Sequence, residues 1–170
     1  MASLIDNLID TLTKENEEYE TLLELSTEKT GIIVKSDPEA LNIMVMREQE
    51  VVDRINALEK RRAEVTKDIG IVLNKEPKDL TLPRLIELLS GQTKECNELR
   101  NIHDKLSGTL SRMSKVNESN KALLNESIEM IQFEMNLLQS MRQAPATANY
   151  SGNTYADNSY ASRASFDAKQ

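Results

Sequence analysis

The residues best suited to chemistry in this sequence are few. There is one cysteine, Cys96, and one histidine, His103. Together they cannot supply the Cys/His pairs of a zinc site. A di-iron bundle places a glutamate three residues before its histidine, whereas position 100 is Arg100. Gly70, Gly91 and Gly108 are isolated within helical sequence, so no glycine-rich loop is formed to cradle phosphate. Carboxylates are abundant but fall on helix faces, where the plain reading is solvated surface charge. Cys96 keeps step with Leu99 and reads as a small seam residue, and His103 as a seam or boundary residue. No catalytic, cofactor-binding or metal-ligating set emerges, and the chain reads as a binding protein rather than an enzyme.

Composition narrows the partner. A net charge of −7, with Lys and Arg scattered, disfavours nucleic acid and anionic membrane, both of which reward positive surface. A basic or neutral protein partner stays open. A single cysteine permits no internal disulfide and suits a reducing compartment. Met1-Ala2-Ser3-Leu4 lacks a basic region followed by an apolar core, and no apolar run approaches the ~18 residues of a spanning helix. Ile32–Val34 is typical of the longest sets. The expectation is a soluble, cytoplasmic protein without membrane insertion.

The elements that must position any binding surface are helices. Charged residues at 29%, aromatics at 4%, five Gly and four Pro suit long helices better than strands. Helices are expected over about 3–35, 38–74, 82–90 and 92–142. Ser3 and Asp6 form a capping-box pattern for the first, whose seam runs Ile5, Leu8, Leu12, Tyr19, Leu22 and Ile33, broken by Glu15, Ser26 and Lys29. Asp37 and Pro38 are a strong start for the second. Its seam, Leu41, Met44, Glu48, Val51, Ile55, Leu58, Arg62, Val65, Ile69 and Val72, alternates spacings of three and four and is polar only at Glu48 and Arg62. Pro77 ends it and biases Glu76 to be extended. Thr81 is the candidate cap of the short third helix and Gly91 the break before the last. That final helix, with Leu99, Ile102, Leu106, Leu110, Met113 and Leu124 along it, would extend roughly 75 Å at ~1.5 Å per residue. The fold class is therefore all-α: an elongated antiparallel hairpin or three-helix bundle, coiled-coil-like, with a short extra helix. The bundle is expected over 1–143, followed by a tail, 144–170, without Leu, Ile, Val or Met. Such a segment buries too little apolar surface to offset its ordering entropy and is expected to be disordered when free.

A binding surface is legible near the end of the last helix. At ~100° per residue, Leu124, Ile128, Ile131, Met135 and Leu138 fall on one face. Leu123, Met130, Phe133, Leu137 and Met141 form a second group about 130° away, with Asn125, Glu129, Gln132, Asn136 and Gln139 on the remaining side. One group is expected to pack inside the bundle and the other to meet a partner. Three of the seven methionines lie here, and Met is over-used at adaptable surfaces. In the tail, Tyr150, Tyr155 and Tyr160 recur every five residues, followed by Phe166, a spacing that suits coupled folding and binding. The competing readings, that the chain's own helices or a second copy in a homodimer bury both groups and that the tail only aids solubility, stay open.

Several segments together carry a family likeness. They are the Leu- and Glu-rich first helix, Lys35-Ser36-Asp37-Pro38-Glu39-Ala40-Leu41, the Glu/Arg/Val-rich second helix, and Leu80-Thr81-Leu82. Asn117-x-x-Asn120-x-x-Leu123-Leu124-x-x-Ser127 and a tail with Tyr150, Gly152 and Tyr155 complete the set. The chain resembles the flagellar chaperone family that serves hook-associated junction proteins. The resemblance implies a bacterial cytoplasmic chaperone without ATPase activity, needing no cofactor. It would bind the C-terminal helices of hook–filament junction proteins before type III export, keep them from assembling, and deliver them to an export-gate component. The family's binding region maps onto Asn120–Met141 and the tail, so the expected partner-binding residues are Asn120, Leu123, Met130, Phe133, Leu137, Met141, Tyr150, Tyr155 and Tyr160. A structural coiled-coil protein acting through self-association is the alternative.

Overall fold

The computed structural model describes residues 2–91 and 93–143. Four α-helices, α1 (Ala2–Val34), α2 (Pro38–Leu73), α3 (Leu82–Leu88) and α4 (Thr93–Gln143), follow in order, with one 3-10 turn at Pro77–Asp79. The chain divides into two units, residues 1–132 and 133–170. The expected tail, 144–170, with Tyr150, Tyr155, Tyr160 and Phe166, lies outside the described residues.

The corner between α1 and α2 is built by local backbone chemistry. Ser36 adopts a left-handed conformation (φ 53°). Its N–H donates to the Ile33 carbonyl at 3.0 Å and the Asp37 N–H to the Ile32 carbonyl at 3.4 Å, which satisfies two of the last carbonyls of α1. Asp37 then caps α2, its carboxylate accepting from the Ala40 N–H at 3.0 Å, with Pro38 at the first helical position. The far end of α2 repeats the device at Asn74 (φ 50°), where the Lys75 N–H reaches the Gly70 carbonyl at 2.9 Å. Gly70 is required there: a Cβ would stand 2.8 Å from the Lys75 carbonyl oxygen. Glu76 is extended before Pro77, as expected. Two caps differ from expectation. Ser3 lies inside α1 rather than at its cap, and Thr81 occupies the cap position of α3 without a side-chain bond to the backbone.

α1 and α2 pack antiparallel. Glu15 meets Arg62 at 3.0 Å, Glu18 meets Arg54 at 3.0 Å, and Lys29 meets Glu48 at 2.8 Å, ascending on one helix and descending on the other. The polar breaks in the two seams are thus each other's partners. Glu48 takes Lys29 and also accepts from the Ser26 hydroxyl at 3.1 Å, and Arg62 takes Glu15. Glu15 is fully buried, and its Oε1 has no hydrogen-bond partner. Burial pushes the Glu15 carboxyl above its ordinary pKa against the opposing pull of Arg62, with Glu59 adding to the rise. One turn on, burial and the hydrogen bond donated to Glu59 at 3.0 Å push the Tyr19 phenol up to about 12.

α4 joins this pair running parallel to α1. Ile5, Leu8 and Leu12 share a core with Val65, Ile69, Leu85, Leu89, Cys96, Leu99, Ile102 and Leu106, each fully buried aliphatic side chain contributing about 1.5–3 kcal/mol. A second core gathers Leu22, Leu25, Met44, Val51 and Ile55, with Met113 against it. Two seam positions depart from expectation. Leu73, not Val72, turns toward the core, and Val72 is exposed. Thr109 takes the buried place expected of the neighbouring Leu110, because its hydroxyl is wanted there by Asn16.

Candidate functional site

Two buried asparagines fix how far α4 slides along α1. The Thr109 hydroxyl donates to Asn16 Oδ1 at 2.9 Å. Asn120 Nδ2 donates to the Ser26 carbonyl at 2.7 Å, and Asn120 Oδ1 accepts from the Thr30 hydroxyl at 2.6 Å. The first tie spans 93 residues of sequence and the second 94. Carried along both helices, that offset brings the end of α1, Val34, level with about residues 127–128. Ile128 and Ile131 therefore lie at and past the end of α1 and are each 51% exposed.

This corrects the expected division of faces. The group Leu124, Ile128, Ile131, Met135 and Leu138 was the one expected to pack inside, yet only Leu124 is half-buried and the other four are exposed. The periodicity is sound, but α1 is too short to cover Ile128 and Ile131. What they line instead, with Ile32, Ile33, Leu41 and Leu124, is an apolar groove of about 350 Å3 at the α1–α2 corner. Sequence reasoning passed over this groove. Its signal was the run Ile32-Ile33-Val34, which is more apolar than a seam crossing at one position requires.

The expected partner-binding residues separate into distinct places. Asn120 is buried at 3% exposure and spends its side chain on α1, so it positions α4 rather than presenting itself. Leu123 is half-buried. Met130, in the first unit, is 65% exposed. In the second unit, Phe133, Leu137 and Met141 recur every four residues on one side of the helix and are 67%, 50% and 67% exposed. Met135, Leu138, Gln139 and Arg142 border a shallow depression of about 180 Å3 on the same segment. These are large apolar side chains left in water.

Cys96 and His103 have separate partners. Cys96 is buried, its thiol 3.5 Å from the Ile86 carbonyl. His103 is half-buried, with Nδ1 3.2 Å from Asp104. Among the described residues, no three His, Cys, Asp or Glu side chains gather as a metal-ion site, and no helix is long and apolar enough to cross a membrane.

The family model described as "FlgN protein" matches residues 1–157. The protein YvyG of Bacillus subtilis (strain 168) is 31% identical over 121 residues, covering 71% of each chain. No solved structure matches. The chain belongs to the FlgN protein family, the flagellar export chaperones, and this membership carries with it a non-enzymatic role in flagellar biogenesis and hook-associated proteins as the class of partner.

Proposed function

We propose that this protein is a cytoplasmic chaperone that binds the C-terminal helices of hook–filament junction proteins on the closing turns of α4, shields them from premature assembly, and hands them to the flagellar export gate. The observation that supports this reading is the exposure of Phe133, Leu137 and Met141 on the closing turns of α4, where Met135 and Leu138 are exposed as well. An amphipathic helix buries its apolar stripe against such a surface as a helix in a groove, through anchors spaced three and four apart. The tail tyrosines Tyr150, Tyr155 and Tyr160 supply further aromatic anchors along the same chain. Binding is read out by titrating purified junction protein onto the full chain and onto the Phe133→Asp, Leu137→Asp, Met141→Asp variant. The expected result is a 1:1 complex that the triple variant weakens by at least about 100-fold, with its melting point close to wild type. Wild-type affinity in the triple variant would end the assignment of this surface.

A further inference from the structure

α4 is anchored unevenly along its length. Its buried apolar side chains, Cys96, Leu99, Ile102 and Leu106, share the first core and all precede Ser107. Among the described residues beyond that point, the buried side chains of α4 are Thr109 and Asn120, both polar. The second core is built by α1 and α2, and from α4 only Met113 packs against it. We propose that the length of α4 from Ser107 to Asn120 is a hinge. It melts and unclasps from α1 while the α1–α2 hairpin and the opening turns of α4 stay folded. The helix that carries Phe133, Leu137 and Met141 thereby has a joint in its middle.

The residues of this stretch favour melting. Eight of the fourteen are Ser, Thr, Asn or Gly, against three in the fourteen before it and two in the fourteen after. Short polar side chains compete with the helix by bonding to nearby backbone, and glycine gains the most freedom on melting. Packing does not call for them. Gly108, Ser111, Ser114 and Asn117 are exposed, and a Cβ on Gly108 would meet nothing within 4 Å. The helix thus gives up stability at positions where alanine would fit, at the point where its apolar anchoring ends.

The ties that hold the stretch are also of a kind that parts easily. Thr109 donates to Asn16 Oδ1 at 2.9 Å, and the Lys105 carbonyl, in its own helix, stands 3.1 Å from the same hydroxyl. Thr30 donates to Asn120 Oδ1 at 2.6 Å, with the Ser26 carbonyl of its own helix 3.3 Å away. Each hydroxyl has one proton and two acceptors within reach. When the helices part it turns to its own helix, and the Asn16 and Asn120 amides pass to water. No buried group is left unpaired, so the desolvation penalty that usually guards a buried hydrogen bond does not arise.

Native-state hydrogen exchange of the full chain tests this, read by mass spectrometry over a series of urea concentrations below the unfolding transition. Amides of residues 109–120 are expected to exchange at least about tenfold faster than those of 97–106. Their rate should hardly change with urea, because a local opening exposes little surface. The variant Gly108→Ala, Ser111→Ala, Ser114→Ala strengthens the helix at exposed positions and should slow exchange over 109–120 by about tenfold or more. The variant Asn125→Ala, Asn136→Ala, also at exposed positions, leaves that exchange at the wild-type rate, since both sites lie outside the hinge. Equal protection of 109–120 and 97–106 would overturn the proposal, as would exchange that rises with urea in parallel for both. So would a triple variant that exchanges like wild type. Slowing of 109–120 by the double variant would also overturn it, because α4 would then be fraying from its end.

Discussion

Replacing Asn120 with alanine separates holding α4 in place from touching a partner. The side chain makes two hydrogen bonds to α1, at 2.7 Å to the Ser26 carbonyl and at 2.6 Å from the Thr30 hydroxyl. Each such bond is worth about 1 kcal/mol net. Neither partner is orphaned by the change. The Ser26 carbonyl lies within α1, where helical pairing is available to it, and the Thr30 hydroxyl has that same carbonyl 3.3 Å away as a second acceptor. The larger penalty for a buried unpaired group therefore does not apply, and the loss is about 2 kcal/mol. For a chain of this size that is a fall in melting temperature of roughly 4–8 °C. Far-ultraviolet circular dichroism gives the melt, with Asn117→Ala, on the exposed side of the helix, as the unaffected control. Junction-protein affinity measured well below the melt should stay within about twofold, on the scale of the usual scatter for a residue outside the contact. A melt shifted by less than about 1 °C would refute the tie between α4 and α1, and lost affinity with an unchanged melt would return Asn120 to the docking surface.

Three further outcomes are expected. Leu124→Asp costs about 2 kcal/mol or more, since it places a charge at a half-buried position of the groove, whereas Phe133→Asp at an exposed site leaves the melt nearly unchanged and weakens binding; equal losses on melting would contradict the division. Tyr19→Phe alters the alkaline limb of stability. With the folded phenol at about 12 and the unfolded one near ~10, the contribution of Tyr19 is complete below pH ~10 and is lost as pH rises toward 12, so wild type minus variant in urea midpoint should shrink across that window. Gly70→Ala forces a Cβ to 2.8 Å from the Lys75 backbone oxygen and should lower stability by about 1–3 kcal/mol; an unchanged urea midpoint would show that the α2 end yields freely.

The helices were legible because their seams are long and regular, and Asp37-Pro38 announces a helix start by chemistry that needs no tertiary context. The seam breaks were visible too, but as isolated anomalies. That Glu15 belongs with Arg62 and Lys29 with Glu48 follows only from the register of the hairpin, which periodicity along one helix does not contain. The same gap explains the misplaced row on α4. The pattern at Ile128 and Ile131 is that of a buried seam, and nothing local reveals that α1 stops beside residue 127. Leu110 was expected inside because leucine is apolar; the structure prefers Thr109 because Asn16 requires a donor. The exposed side chains at Phe133, Leu137 and Met141 were found from the sequence because the apolar arc there is wider than one packing partner covers.

The paired asparagines act as a vernier. They hold α1 and α4 at one offset, so the point at which α4 emerges uncovered is set by the length of the first hairpin and not by α4 itself. Lengthening α1 and α2 by one heptad at the Ser36 corner would slide a roof about 10 Å further along, over Ile128 and Ile131, without altering a single residue of the receiving face. The reach of that cover is thus mechanically independent of the chemistry of the α4 surface.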